Sequence, residues 1–296
     1  MKVFITGATG FVGSAVTQEL INSGHQVLGL ARSSASAEKL KAVGAEVLYG
    51  DLEDKESLQR GAKAADAVIH CGFIHDFTRY NEVCEVDRLA ILAIGAALAG
   101  TEKPFIVTAG TALVSPGRMA TENIIPPFNP ALPRASERAA DDVAALGVRV
   151  CVVRLPPSVH DVGDHGFIYT LSNIAWEAGI SAYIADGLNR WNAVHRLDAA
   201  HLYRLVLENA RAGARFHAVA EEEVSFRDIA EAIGRQLNIP VQSISADQAE
   251  AHFSWISGFV GIDCPTSSKL TKEHLNWNPE HQTLFADIKQ GVYSNH

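Results

Sequence analysis

The amino-acid sequence predicts an α/β fold, a doubly wound parallel sheet with a smaller C-terminal lobe. Short β-rich segments alternate with helical patterns through the first half of the chain, and a glycine-rich turn joins the first strand to the first helix. This alternation stops after Arg154. At 296 residues, the chain is long for one compact core and short for two independent domains.

Six short segments are rich in apolar and β-branched residues, which is typical of buried parallel strands. The predicted strands are Lys2–Thr6, Gln26–Leu30, Glu46–Tyr49, Ala67–His70, Pro104–Thr108 and Val148–Val153. The helices predicted between them are Phe11–Ser23, Ala35–Val43, Lys55–Gly61, Tyr80–Ala99 and Arg134–Leu146. Right-handed crossovers then cover both faces of the sheet, and a ligand is expected beyond the carboxyl ends of the strands.

The second half of the chain is less regular. A helix Asp198–Asn209, capped by Asp198, and a strand Arg215–Ala218 are predicted to return to the sheet. We therefore predict a nucleotide-binding domain over residues 1–155, to which 195–218 return. The substrate-binding lobe is predicted over 156–194 and 219–296.

The turn after the first strand reads Gly7-Ala8-Thr9-Gly10-Phe11-Val12-Gly13. Gly7 permits a tight turn, Gly10 allows close approach of phosphates, and Gly13 lets the helix pack on its strand. The helix N-terminus then faces the anion. The pattern predicts dinucleotide binding by Gly7, Thr9, Gly10, Phe11, Val12 and Gly13, with a ligand-free packing turn as the alternative.

The second strand indicates which dinucleotide is preferred. An NAD-specific site needs a carboxylate at this strand end to bind the ribose 2′-hydroxyl, but the chain reads Leu30-Ala31-Arg32-Ser33-Ser34. Arg32 offers a planar donor fork to a 2′-phosphate, and Ser33 can add a hydrogen bond. We therefore predict NADP(H) rather than NAD(H), with a solvated loop charge as the alternative for Arg32.

Together these segments resemble the extended short-chain dehydrogenase/reductase superfamily, the group of NAD-dependent epimerases and dehydratases. The resemblance is carried in chain order by Thr6–Gly13, Gly50-Asp51-Leu52, Val68–Gly72, Pro104–Thr111 and Trp191–Asp198. It implies a Rossmann-type sheet and adenine contacts from Asp51 and Leu52, although Asp51 is equally compatible with capping the next helix. It also implies cofactor contacts from Cys71, Gly72 and Pro156.

The chain departs from this superfamily at the catalytic residues. The superfamily normally uses a Ser or Thr with a Tyr-x-x-x-Lys pair, whereas here Gly110 occupies the serine position and the pair reads Arg134-x-x-x-Arg138. Arginine stays protonated and is a poor proton donor, but Arg134 can polarise a carbonyl or hold an acidic substrate. Arg138 can still bind the nicotinamide ribose. The alternative is that both arginines form ion pairs on a solvated helix face.

A proton donor must then lie elsewhere. The loop after the sixth predicted strand offers His160, Asp164 and His165, and Thr111 can hydrogen-bond a substrate oxygen or simply satisfy the backbone of a turn. His75 and Asp76 form a second candidate pair. No distant ligand set accompanies the loop, so we predict no metal site.

The leading functional hypothesis is an NADPH-dependent reductase of a carbonyl, imine or activated double bond in a small apolar molecule. A protonated imine would lessen the need for a tyrosine acid. The absent tyrosine also supports a non-catalytic NADP-sensing regulator of the NmrA-like type. A nucleotide-sugar epimerase or dehydratase is the third hypothesis, and it ranks lowest because those reactions normally use the tyrosine as base.

Charge and cysteine content restrict partners and location. The formal net charge of −9 argues against nucleic acid as a partner. The four cysteines lack a Cys-x-x-Cys motif, so they suggest neither a zinc knuckle nor a disulfide framework. The apolar run Leu89–Gly100 is too short to span a bilayer, so we expect a cytoplasmic protein without a membrane partner. The helices Tyr80–Ala99 and Arg134–Leu146 are compatible with a homodimer and equally with ordinary burial.

Overall fold

The computed structural model describes residues 1–126 and 133–293. Its contacts divide the chain into two compact units. Unit 1 comprises Met1–Ala109, Phe128–Arg154 and Ala199–Phe216, and unit 2 comprises Gly110–Pro127, Leu155–Asp198 and His217–His296. Residues 110–126, which the sequence analysis placed in the first domain, therefore group with unit 2.

Unit 1 is built on the predicted doubly wound sheet. Its strands are β1 Lys2–Thr6, β2 Gln26–Ala31, β3 Glu46–Tyr49, β4 Ala67–His70, β5 Pro104–Gly110, β6 Arg149–Leu155 and β10 Arg215–His217. They are ordered β10-β6-β5-β4-β1-β2-β3, and β1 pairs in parallel with both β2 and β4. The direction of strand order reverses at β1 and β4, which is where a doubly wound sheet opens a crevice for ligand.

Helices flank this sheet as the alternation predicts. They are α1 Phe11–Asn22, α2 Ser34–Ala42, α3 Lys55–Ala64, α4 Tyr80–Leu98, α5 Ser136–Ala144 and α7 Arg196–Asn209. One core cluster of unit 1 joins Phe4 of β1 and Phe105 of β5 to Ile94 of α4 and Val143 of α5. Burial of these apolar side chains is the main force that holds the helices on the strands.

Unit 2 has its own strands and core. Its strands are β7 Ser158–His160, β8 Ser181–Ile184, β9 Arg190–His195, β11 Glu221–Ser225 and β12 Val241–Ile244. They form a three-stranded sheet, β11-β9-β7, and a parallel pair, β12-β8. The remaining helices are α6 Phe167–Ala178, α8 Phe226–Leu237, α9 Ala249–Phe253, α10 Ser257–Val260, α11 Lys269–Leu275 and α12 Leu284–Lys289. Its core is centred on Trp191, Phe226 and Phe253.

Two predicted helix starts are wrong by two residues. Helix α5 begins at Ser136 rather than Arg134, so Arg134 precedes the helix. Helix α7 begins at Arg196, two residues before the predicted cap Asp198. The Asp198 carboxylate instead accepts the backbone N–H groups of Glu280 and His281, a distant segment that the local pattern does not reveal. Within the described residues, no helix combines the length and apolar character needed to cross a bilayer.

Candidate cofactor site and active site

The turn between β1 and α1 has room only for glycine at two positions. Gly7 has a φ of +67°, and a Cβ added to it would lie 2.7 Å from the Cα of Gly72. A Cβ on Gly13 would lie 2.0 Å from the Gly7 carbonyl oxygen, closer than real Cβ contacts allow. The N–H of Gly10 donates to the same carbonyl at 2.9 Å and closes the turn. The tight turn and the close helix packing expected of Gly7 and Gly13 are therefore both present.

The N-terminus of α1 has the character of an anion site. Gly10 is the N-cap, no side chain caps the helix, and its first turn contains no acidic residue. Gly10 is exposed, while Thr9, Phe11 and Val12 are partly buried around it. The positive end of the helix dipole is therefore not neutralised by a capping carboxylate, and a backbone without a Cβ lies beside it. These features fit the pyrophosphate of a dinucleotide.

The end of β4 lies against this turn. The N–H of Gly72 donates to Thr6 Oγ1 at 3.1 Å, and a Cβ on Gly72 would lie 3.0 Å from Leu52 Cδ2. Three of the predicted cofactor positions, Gly7, Leu52 and Gly72, are thus brought together. Cys71 is held as a thiol, because desolvation raises its pKa to about 12.

Of the two residues predicted to contact a 2′-phosphate, Arg32 and Ser33, only Ser33 has a hydrogen-bonding role among the described residues. Arg32 is exposed, and among the described residues no carboxylate pairs with its guanidinium. Ser33 is the N-cap of α2, and its Oγ accepts the N–H of Ser36 at 3.2 Å. Asp51 accepts the N–H of Glu53 at 3.0 Å, whereas Asp54 caps α3, so the capping alternative for Asp51 is wrong.

Arg134 is held by a buried network that the sequence analysis did not anticipate. Its Nε donates to Ser136 Oγ at 3.1 Å, and Ser136 Oγ donates to Asp87 Oδ2 at 2.6 Å. Asp87 Oδ1 lies 3.1 Å from His70 Nε2, and His70 Nδ1 lies 2.8 Å from Thr6 Oγ1. Ser136, Asp87, His70 and Thr6 are each at most 2% exposed.

Aromatic side chains lie close to Arg134. Its guanidinium carbon lies 4.1 Å above the ring of Phe73, a cation–π contact. Burial raises the pKa of the nearby Tyr80 to about 12, so this phenol stays protonated. Burial would also raise the pKa of Asp87, but His70, Arg134 and Ser136 outweigh it and hold that pKa below its usual range.

The other charges of α5 form a separate ion network. Glu137 accepts from Arg154 at 2.8 and 2.7 Å and from Arg215 at 3.0 Å, and Arg215 also binds Asp141. Arg154 is fully buried. None of these ion pairs includes Arg134, so the surface ion-pair alternative does not describe Arg134. Arg138 is exposed on α5.

The unit 2 candidates lie in unit 2's own hydrogen-bond network. Thr111 is buried, and its hydroxyl donates to Asn192 Oδ1 at 2.8 Å. His160 is fully buried, with Nδ1 2.6 Å from Asp287 Oδ2. Asp164 accepts the Tyr293 hydroxyl at 2.9 Å, and burial raises the pKa of its carboxyl.

The three predicted proton-donor residues differ in exposure, since His160 and Asp164 are buried and His165 is not. His165 is exposed, with Nδ1 3.3 Å from the Gly163 carbonyl oxygen. Pro156 is buried beyond the end of β6. Across residues 1–126 and 133–293, no group of three or more His, Cys, Asp or Glu side chains has the arrangement of a metal site.

One sequence signal could have revealed the network around Arg134. The buried face of α4 includes Val83, Ala90, Ile91 and Ile94, and Asp87 occupies the same helical register. A carboxylate on an apolar helix face must find buried donors. The identity of those donors, from β4 and α5, could not be read from the spacing.

The sequence comparison decides the family. Residues 3–220 match the profile of the NAD dependent epimerase/dehydratase family. The chain belongs to this family. The resemblance found in the sequence is thereby confirmed at the family level, and the glycine turn with its bare helix N-terminus fits the nicotinamide dinucleotide that the family name specifies.

Several known proteins are similar to this chain in sequence or in fold. It is 48% identical to an uncharacterized protein of Saccharomyces cerevisiae, with 100% of both chains covered. It is 25% identical to a decarboxylating sterol-4-alpha-carboxylate 3-dehydrogenase of Dictyostelium discoideum, covering 76% of this chain and 73% of that protein. The fold is similar to that of a UDP-glucuronic acid 4-epimerase from Bacillus cereus, with a TM-score of 0.77, 14% identity, and 99% and 98% of the chains covered.

Proposed function

We propose that this protein is an NADPH-dependent reductase of a carbonyl or carbonyl-activated double bond in a small molecule. The observation that carries the proposal is the state of Arg134. Its Nε is fixed by Ser136, while among the described residues none accepts a hydrogen bond from either Nη. A partly exposed, oriented guanidinium with unused donors is suited to stabilise negative charge on a substrate oxygen.

The cofactor assignment rests on two parts of unit 1. Gly7, Gly10 and the N-terminus of α1 would hold the pyrophosphate, and Leu52 with Asp51 would lie at the adenine. Arg32, which is exposed and has no carboxylate partner among the described residues, would bind the 2′-phosphate. Reduced cofactor, when bound, supplies a hydride to the substrate carbon.

Arg134 determines which substrates suit such a site. When a hydride reaches the carbonyl carbon, negative charge develops on the oxygen, and the Nη donors of Arg134 stabilise it. The guanidinium keeps its own proton, so the product oxygen takes its proton from water. A protonated imine brings a positive charge next to the guanidinium, so carbonyl and enone substrates are favoured over imines.

The test is NADPH oxidation by the purified protein with a panel of ketones, aldehydes, enones and cyclic imines. We expect turnover in the wild type and at least a ~100-fold lower kcat in Arg134→Met, as for removal of an oxyanion donor. Arg60→Met, which removes an exposed arginine of α3, should match the wild type.

Each contrary result overturns a defined part of the proposal. Wild-type turnover in Arg134→Met would remove Arg134 from the chemistry. Bound NADPH that stays reduced with every member of the panel would overturn the reductase and favour the regulator or the epimerase hypothesis.

A further inference from the structure

In the network behind Arg134, the Asp87 carboxylate fixes the direction of the hydrogen bonds that it receives. The Asp87 carboxylate can only accept, so Ser136 must donate to Oδ2 and His70 must carry a proton on Nε2. At its other ring nitrogen, Nδ1, His70 shares a hydrogen bond with the Thr6 hydroxyl, and Thr6 Oγ1 accepts the N–H of Gly72. The Asp87 carboxylate thus accepts two hydrogen bonds, one from Ser136 and one from His70.

Through His70 the network reaches the glycine turn of residues 7–13, here called the cofactor turn, and through Ser136 it reaches Arg134. Thr6 ends β1 and precedes Gly7 directly, and it pairs with His70 in the parallel register of β1 and β4. On the other side, Ser136 uses its single hydroxyl proton for Asp87, so its oxygen lone pair is left to accept from Arg134 Nε. The Asp87 carboxylate therefore determines which way the Ser136 hydroxyl points.

Two contacts then fix the plane of the Arg134 guanidinium. The hydrogen bond to Ser136 holds the Nε edge, and the Phe73 ring lies 4.1 Å from the guanidinium carbon. The edge bearing the Nη atoms is left to face a ligand. A guanidinium without these contacts would sample several rotamers. Much of the rate effect of a charge-stabilising group depends on its being held in the correct orientation.

We propose that Ser136 and Asp87 are positioning residues that orient Arg134 for the reaction, and that Thr6 and His70 tie this orientation to the cofactor turn. The proposal rests on the proposed function for its effect on rate. Its effect on the guanidinium itself does not depend on turnover.

The first test measures the guanidinium directly by NMR of the Arg134 Nε–H in the protein without added substrate. Arg134→Lys identifies the resonance. We expect slow hydrogen exchange in the wild type, and exchange faster by at least ~10-fold in Ser136→Ala, because the hydrogen bond that protects the proton is gone. Ser136→Thr, which keeps the hydroxyl, should restore protection. Unchanged exchange in Ser136→Ala would overturn the proposal.

Asp87→Asn tests the remote member of the network. The side chain keeps its shape, but its NH₂ group meets a donor from either Ser136 or His70, so the Ser136 hydroxyl loses its fixed direction. We expect faster exchange of the Arg134 Nε–H here as well. Protection equal to that of the wild type, in a variant with native far-UV and near-UV circular dichroism, would remove Asp87 from the positioning role.

The second test is a double-mutant cycle on kcat. Ser136→Ala should lower kcat by about 10-fold in the wild-type background and by less than about 2-fold in Arg134→Lys, where no Nε contact exists. An equal loss in both backgrounds indicates a structural role and overturns the proposal. If Arg134→Lys itself keeps the wild-type kcat, the proposed function fails instead, and the NMR result still decides the positioning role.

Discussion

Gly13 provides a stringent test of the cofactor turn, because its replacement by alanine has a cost that follows from the structure. The added Cβ would lie 2.0 Å from the Gly7 carbonyl oxygen, and ordinary contact begins near 3.4 Å. The N-terminus of α1 or the turn must therefore move by about 1.4 Å, the difference between these two distances.

The free-energy cost combines two opposing effects. Overpacking against a backbone atom falls at the upper end of the usual range, about 3 kcal/mol. Alanine is favoured over glycine inside a helix by about 1 kcal/mol. The net expectation is a loss of about 2 kcal/mol in the free energy of unfolding, measured by urea denaturation with circular dichroism.

Gly10→Ala is the matched control at the exposed position of the same turn. Its φ of −74° suits alanine, and the added Cβ would lie 3.2 Å from the Gly7 oxygen, so the neighbouring atom needs to shift only slightly. We expect a stability change below about 1 kcal/mol. The Cβ would nevertheless stand where phosphates approach, so NADPH affinity should fall by at least ~10-fold, measured by isothermal titration.

Two results would refute this reasoning. Wild-type stability in Gly13→Ala would mean that α1 does not approach the turn as closely as described. Wild-type NADPH affinity in Gly10→Ala would mean that the pyrophosphate does not bind at this turn.

Three further predictions concern cofactor choice and stability. Arg32→Met should raise the Kd for NADPH by at least ~10-fold and leave that for NADH unchanged, because only NADPH carries the 2′-phosphate; equal changes for both cofactors would refute the assignment. Burial lowers the pKa of His160, but its two carboxylate neighbours outweigh burial and raise it. The stability that protonated His160 contributes is thus complete below about pH 6.5 and is lost as the pH rises through the folded-state pKa. The loss of unfolding free energy in His160→Gln should therefore be larger at pH 5.5 than at pH 8.5. A larger loss at pH 8.5 would contradict the raised pKa. Glu137→Gln removes the charge of the carboxylate that binds the fully buried Arg154 and should cost about 3–5 kcal/mol, whereas Asp141→Asn, at a half-exposed carboxylate, should cost less than about 1 kcal/mol. Similar losses in urea denaturation would be inconsistent with the network.

The sequence was sufficient to predict the sheet and the glycine turn between β1 and α1, because both depend on local signals. Alternating apolar strands and amphipathic helices have periods that can be read directly, and the glycines of the turn have few other uses at that spacing. The strand ends that carry Arg32 and Gly72 follow from the topology of a doubly wound sheet.

The partners of polar side chains could not be predicted in the same way. His160 and Asp164 lie close together in the sequence, yet they bind Asp287 and Tyr293, residues 127 and 129 positions away. Such pairings depend on how distant elements pack, which no short window of sequence contains.

The same limit explains the missed helix start. The residues around Arg134 have a helical pattern, but α5 begins only at Ser136, whose hydroxyl donates to Asp87 on α4.

The most direct test of the proposed reaction follows deuterium from the cofactor. NADPH deuterated at both C4 positions is mixed with an equal amount of the protein and each member of the carbonyl and enone panel, and the products are analysed by mass spectrometry. The account predicts one deuterium in the product for each NADP⁺ formed. NADPH that binds but transfers no deuterium to any panel member would contradict it.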